Sequence, residues 1–352
     1  MAAALYHPRL GYYARLRGFG AHGDFITSPE THPAFGFLLA RQAVDLWEAL
    51  GRPRPFRILE WGAGSGALAR SMLDQLPAPS YTIQETSPSL REVQRRRLVG
   101  YPVSWHVRGR FHLILANEVV DAQPVHRVVM RDGRLRELLV GLNENGFCWI
   151  ESDQVSSAIE TYFAHVGVLP PEGGVAEINL ELPRFVEHIA RRVQRGMALI
   201  LDYGNTADQL FRRSQGTLLT YYKHTMGSDP LARLGEQDIS IQVDFTSLVM
   251  AARSAGLQIF DAIRQRGLLR NLGIDQLISA VRSPTDRQAL SSLIDPNGLG
   301  RLIALFLGRD LSGYTPVGLS GKRVWPEPTD IPLLPPDQRD EDFLSQWREA
   351  FS

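Results

Sequence analysis

Apolar and polar positions set a clear rhythm after an irregular start. Phe35, Leu38, Leu39, Ala43, Leu46 and Trp47 recur at helical spacing, predicting a helix over about 33–50 that Gly51 and Pro53 stop. Short apolar runs then alternate with helix-like stretches. Strands are predicted over 57–60, 81–85, 103–106 and 112–116, with a helix after Gly66 and another opened by Ser87-Pro88. This alternation predicts an α/β fold with a doubly wound parallel sheet.

From about residue 125 the rhythm changes. Candidate strands 126–131 and 134–141 flank Asp132-Gly133, a hairpin signal, and 147–150 offers a third antiparallel strand. Residues 151–196 read as helical, broken at Pro170-Pro171 and Gly173-Gly174. Buried strands are predicted at 197–202 and 216–222, then a helix over 245–255, a strand over 257–263 and a helical stretch over 269–308. Prolines from Pro326 onward predict an extended tail with a short final helix. The expected organisation is a loop and helix over 1–52 that cover the site, and a sheet core over 53–325. A lobe of hairpin and helices is inserted at about 125–196, and a Pro-rich tail occupies 326–352.

Composition narrows the function classes. Of 352 residues, 44% are apolar and 22% charged, as in an ordinary globular protein. Lys plus Arg equals Asp plus Glu at 38 each, so no global field draws nucleic acid or an anionic membrane, and neither is an expected partner. The run Arg95-Arg96-Arg97 reads as the solvated end of a helix. The single cysteine, Cys148, excludes an internal disulfide and a cysteine-based zinc cluster. No apolar run approaches the ~18 residues that span a bilayer, so no membrane insertion is expected. Arg9, Arg15 and Arg17 precede the first acid, Asp24, as in a transit peptide. Tyr6-His7-Pro8 and Gly11-Tyr12-Tyr13 instead suit the mature fold, which is how the segment is read.

The strongest chemical signal is Glu60-Trp61-Gly62-Ala63-Gly64-Ser65-Gly66, which follows an apolar strand and leads into a helix. Glycines there let the backbone turn and approach a ligand closely. Glu85 ends the next apolar run, where a carboxylate meets a ribose. Gly62-x-Gly64-x-x-Ala67 also satisfies the dinucleotide fingerprint. Glu60 at the mouth of the turn would repel a pyrophosphate but pair with an amine, which favours S-adenosyl-L-methionine.

A second constellation follows the apolar run 113–116. Asn117 and Glu118 sit at the carboxyl end of a strand, where open α/β sheets bind ligands, and Asp121 follows three residues later. Two carboxylates suit a guanidinium, which is cationic and offers five donors in a plane. The competing reading has Glu118 or Asp121 capping a helix or pairing structurally, and Asn117 simply ending the strand. Upstream, Asp24-Phe25-Ile26-Thr27-Ser28-Pro29-Glu30 reads as a helix start with Ser28 as cap, and as a segment placed to cover the cofactor. Asp202-Tyr203-Gly204 ends a buried strand and reaches the same rim. Asp244 reads as an N-cap, and His224 has no dyad partner in the sequence.

Taken together, these motifs resemble the MidA family of S-adenosylmethionine-dependent methyltransferases. Gly11-Tyr12-Tyr13, Gly23-Asp24-Phe25-Ile26-Thr27-Ser28-Pro29-Glu30, Glu85-Thr86-Ser87-Pro88, Asn117-Glu118-x-x-Asp121-Ala122 and Leu201-Asp202-Tyr203-Gly204 carry the resemblance, which spans about 5–310. It implies a Rossmann-like class I methyltransferase sheet with an added lobe and S-adenosyl-L-methionine as donor. It also implies a protein arginine as acceptor, on a respiratory complex I subunit in the mitochondrial relatives. The implied location is the cytoplasm for a bacterial member and the mitochondrial matrix for an organellar one. Donor contacts are expected from Glu60, Gly62, Gly64, Gly66, Glu85, Thr27 and Ser28, and acceptor chemistry from Asn117, Glu118 and Asp121. The chain departs from the family at the glycine loop, where Gly62-Ala63-Gly64-Ser65-Gly66 replaces Gly-Pro-Gly-Arg-Gly. Two other classes fit the same motifs: an assembly factor with a vestigial cofactor site, and a small-molecule methyltransferase.

Overall fold

A computed structural model describes residues 1–15, 26–223, 225–325 and 331–335. The loop glycines at 18, 20 and 23 with Asp24 and Phe25, His224, and the final helix of the tail lie outside the described residues.

Seven strands form the central sheet: β1 (Arg57–Trp61), β2 (Ser80–Gln84), β3 (Val103–Ser104), β4 (Phe111–Asn117), β5 (Val193–Asp202), β6 (Gln258–Arg264) and β7 (Ile303–Arg309). Their order is β3-β2-β1-β4-β5-β7-β6. Five strands run parallel, while β7 is antiparallel to both β5 and β6. The order reverses between β1 and β4, so the carboxyl ends of those strands flank the crevice where ligands bind in such sheets.

The apolar runs build this sheet because alternate side chains serve opposite faces. Ile58 and Leu113 join the cluster under the helices Ala34–Ala49, Ala67–Leu73 and Gln265–Asn271, whereas Leu59 and Ile114 join the cluster under Leu182–Arg192 and Phe245–Ser254. All four side chains are essentially inaccessible, and each contributes about 1.5–3 kcal/mol by leaving water.

Two expectations change. The stretch 269–308 is α-helical only through Ser292, with a single 3-10 turn at Leu299–Arg301, and its last part is strand β7. A short continuous apolar run reads alike as buried helix or buried strand, and here strands on both sides make it a strand. The sheet is therefore mixed, not wholly parallel. Residues 151–196 hold two helices, Ser157–Val166 and Leu182–Arg192, separated by the strand Val175–Ile178 and followed by the first residues of β5.

The lobe sheet runs Gly146–Ser152, Arg134–Asn143, His126–Arg131, Val175–Ile178. Its hairpin turns at Asp132 and Gly133, with φ of 52° and 70°, as a two-residue turn between paired Arg131 and Arg134 requires. A smaller sheet of Leu219–Tyr222, Thr225–Gly227 and Asp238–Ser240 brings Tyr221 and Asp238 toward the crevice. Among the described residues no helix is long and apolar enough to cross a membrane.

Candidate functional site

The crevice is a cavity of about 260 Å³ at the carboxyl ends of β1, β2 and β4. The glycine turn forms its floor. Gly62, Gly64 and Gly66 all lie in the left-handed region, at φ of 65°, 52° and 85°, so a glycine suits each position and any other residue would be strained. The Gly62 N–H donates to Gln84 O at 2.9 Å, and a Cβ at Gly62 would stand 3.0 Å from Val119 Cγ2.

Among the described residues four carboxylates, Glu30, Glu60, Glu85 and Glu118, line the same cavity, and Glu60 and Glu85 are the two nearest the glycine turn in the sequence pattern. Glu60, 3% exposed, accepts the Tyr81 hydroxyl at 2.8 Å. Burial pushes Glu60 up to about 7, against the Tyr81 bond that lowers it, and Glu85 adds repulsion. Glu85 accepts the Ser87 N–H at 2.9 Å and Gln94 Nε2 at 3.1 Å. Burial raises it too, with those bonds opposing.

Thr27, Asn117 and Glu118 also line the cavity, whereas Gly66, Ser28 and Asp121 stand behind its wall. Gly66 is the N-cap of Ala67–Leu73, and a Cβ there would meet Leu98 and Gln94. Ser28 is not the helix cap: Thr27 takes that position without a side-chain bond. The Ser28 hydroxyl instead donates to Gln265 Oε1 at 3.0 Å, and its N–H points to Glu118 Oε1 at 3.4 Å. Asp244 is a cap, accepting the Thr246 N–H at 2.9 Å.

Glu118 has a φ of 51°, a strained conformation for a non-glycine residue. Its N–H donates to Leu201 O at 2.8 Å and its Oε1 accepts Asn117 Nδ2 at 3.0 Å. Burial pushes its carboxyl up to about 8, followed by the charge of Asp202. Asp121 is raised well above the usual carboxylate range by burial, then by Asp202, Glu118 and Asp238. Among the described residues, the side-chain charges that shift both groups are other carboxylates. Such a cluster favours a cation brought in from outside.

Several site residues gave little signal in the sequence. Tyr6 and Tyr13 line the cavity, with hydroxyls donating to Ala122 O and to Asp238 Oδ1, each at 2.9 Å. Tyr6-His7-Pro8 and Gly11-Tyr12-Tyr13 marked them in the sequence only as parts of the mature fold. Arg97 is not solvated like its neighbours: it pairs with buried Glu30 at 2.8 Å, and both bond Ser65 in the glycine turn. Arg95 and Arg96 pair with Glu92 in solvent, as expected. Asp238 stands in the sequence only as the start of Asp238-Ile239-x-x-x-Val243-Asp244-Phe245, a motif of the family resemblance with no role attached to it.

The strand order and the glycine-floored crevice define a Rossmann-like methyltransferase fold. A family model of S-adenosyl-L-methionine-dependent methyltransferases matches residues 38–263, and the chain belongs to that family. A Drosophila melanogaster relative, the mitochondrial protein arginine methyltransferase NDUFAF7 homolog, is 30% identical, over 91% of this chain and 84% of its own. The Danio rerio protein arginine methyltransferase NDUFAF7 is also 30% identical, over 87% and 81%. A Burkholderia thailandensis structure bound to S-adenosyl-homocysteine superposes with a TM-score of 0.82 at 28% identity, over 91% of this chain and 88% of that one. These findings bear out the MidA resemblance. S-adenosyl-L-methionine is the cofactor, and the cavity fits it: an open glycine turn, with one carboxylate suited to an amine and another to a ribose diol.

Proposed function

We propose that this methyltransferase modifies arginine side chains of a protein substrate, with Glu118 receiving the guanidinium at the cavity wall and Asp121 supporting it from behind. The observation that carries the reading is this carboxylate pair at the cofactor cavity, with other carboxylates, among the described residues, as the side-chain charges that shift it. The names of the relatives support the same acceptor.

S-adenosyl-L-methionine supplies the methyl group. Gly62, Gly64 and Gly66 give the turn its close approach, Glu60 pairs with the amine and Glu85 with the ribose diol, while Thr27 and Ser28 cover the site. Glu118 meets the guanidinium at the cavity wall, Asp121 adds negative charge from behind that wall, and Asn117 fixes the Glu118 rotamer. Glu118 Oε accepts the proton that the nitrogen releases on gaining the methyl. A carboxylate lifted to about 8 is a stronger base than an ordinary one, near working pH.

In this reading residues 1–52 cover the donor site, and the core spans 53–325 ahead of the tail at 326–352. The lobe is drawn in to about 125–181, because Leu182–Arg192 packs on the central sheet. A respiratory complex I subunit is the substrate that the mitochondrial resemblance implies. The site of action is the cytoplasm for a bacterial source and the mitochondrial matrix for an organellar one. Mass spectrometry of protein arginines with and without the gene tests the reading. Methylarginine that disappears on deletion supports it, and an unchanged arginine profile overturns it.

A further inference from the structure

The loop that carries Glu118 leaves the sheet through a strained residue, yet its backbone is heavily bonded. Asp202, at the end of β5 and fully buried, supplies those bonds. Its Oδ2 accepts the N–H groups of Val119, Val120 and Asp121 at 3.2, 2.8 and 3.3 Å, and its Oδ1 accepts the Tyr203 N–H at 2.8 Å. Three successive amides converging on one oxygen form an anion nest, here filled by a side chain of the neighbouring strand. The Glu118 N–H to Leu201 O bond closes the same junction from the residue before Asp202.

From this geometry we infer that Asp202 is a positioning residue for methyl transfer: its carboxylate pins the 119–121 backbone and so holds Glu118 in its left-handed conformation at the cavity wall. The inference rests on the reading of Glu118 as the acceptor-side base.

A carboxylate so placed does two things at once. It satisfies amides that would otherwise be left without a partner. It also sets a negative charge beside Glu118, which keeps that carboxyl hungry for a proton. Among the described residues, the groups around Glu118 include the carboxylates of Asp121 and Asp238, the phenols of Tyr203 and Tyr221 with Arg301 over the Tyr203 ring, the Asn117 amide, and the Ser28 N–H from the helix Ser28–Thr31. Burial holds Asp202 itself up to about 7 despite its four backbone bonds, so it carries its charge above neutrality. Aspartate suits the position: asparagine would turn an N–H donor toward one set of amides, and serine cannot reach both.

Asp202→Asn tests the role with three readouts. Hydrogen exchange of the Val119, Val120 and Asp121 amides accelerates by about tenfold or more, as expected for a lost charge-assisted bond. S-adenosyl-homocysteine binding, measured by calorimetry, stays within about threefold, because no cavity-lining group is removed. Turnover falls by about tenfold or more, and its dependence on pH moves to lower pH, because Glu118 loses a neighbouring negative charge. Unchanged exchange, unchanged turnover, an unmoved pH profile or loss of cofactor binding would each overturn the positioning role. Should Asp202→Asn fail to fold, the wild-type protein decides. Amides at 119–121 protected like the strand β4 support the role, and exchange as fast as in an unbonded loop overturns it. Exchange does not depend on what receives the methyl, so its outcome is separable from a failure to find methylated arginine.

Discussion

Tyr81 donates its hydroxyl to Glu60 across 2.8 Å, from the strand beside β1 and close to the glycine turn. One Glu60 oxygen is thus held in place while the residue lines the cavity. Buried Glu60 titrates at about 7, so its charge depends on both pH and ligand.

Donor affinity should therefore weaken as pH falls through about 7, where Glu60 takes up a proton and ceases to attract an amine. Tyr81→Phe removes a bond that favours the ionised form, so the same loss should begin at higher pH. Calorimetry with S-adenosyl-homocysteine across that range checks both. A flat profile would remove Glu60 from amine recognition.

The glycine turn predicts a separate outcome. Gly64→Val places a branched side chain on a residue at φ of 52°, and should weaken cofactor binding by about 100-fold or more. Gly62→Ala should also weaken it, since its Cβ would stand 3.0 Å from Val119 Cγ2 at a φ of 65°. Binding within a few-fold of wild type in both variants would contradict the placement of the cofactor on this turn.

Stability of the ligand-free protein should depend on pH with a definite sign. Glu60, Glu118 and Asp202 all have folded values of about 7 to 8, above their ordinary 4.5 and 3.8. Their contribution is fully present below the unfolded values and is lost as pH rises through 7 to 8. Glu118→Gln should accordingly raise the melting temperature at pH 8 by a few degrees, and change it little at about pH 4. A lower melting temperature for Glu118→Gln at pH 8 would show that the carboxylate is paired in the free protein.

Much of the site was legible because its logic is local. A strand, three glycines and a helix declare themselves in one continuous stretch over 57–73, and Glu85 and Asn117-Glu118 sit at the ends of apolar runs. What stayed hidden depends on distant chain segments. Asp202 could be placed at the rim, but not its three bonds to backbone amides of the loop after the neighbouring strand. Arg97 reads as one of three solvated arginines until Glu30, 67 residues earlier, is brought beside it. Strand β7 reads as helix because periodicity vanishes when both faces are buried.

That ion pair carries a further expectation. Arg97→Ala strips buried Glu30 of its cation and loosens the tie between the helix Ser28–Thr31 and Ser65. Cofactor affinity should fall by about tenfold, with a loss of about 1–3 kcal/mol in stability. Chemical denaturation and calorimetry read the two effects. Unchanged affinity would mean that the N-terminal segment does not help to form the donor site.

The central claim is that this cavity delivers a methyl group to arginine through Glu118. Isotope-labelled S-adenosyl-L-methionine, incubated with the purified protein and extract from cells lacking the gene, tests it most directly, with fragmentation spectra locating the label. The account predicts label on arginine nitrogen with the wild-type protein. With Glu118→Gln that label should be nearly absent, while cofactor binding is retained. Label on another residue or on a small molecule, or equal labelling by Glu118→Gln, would contradict it.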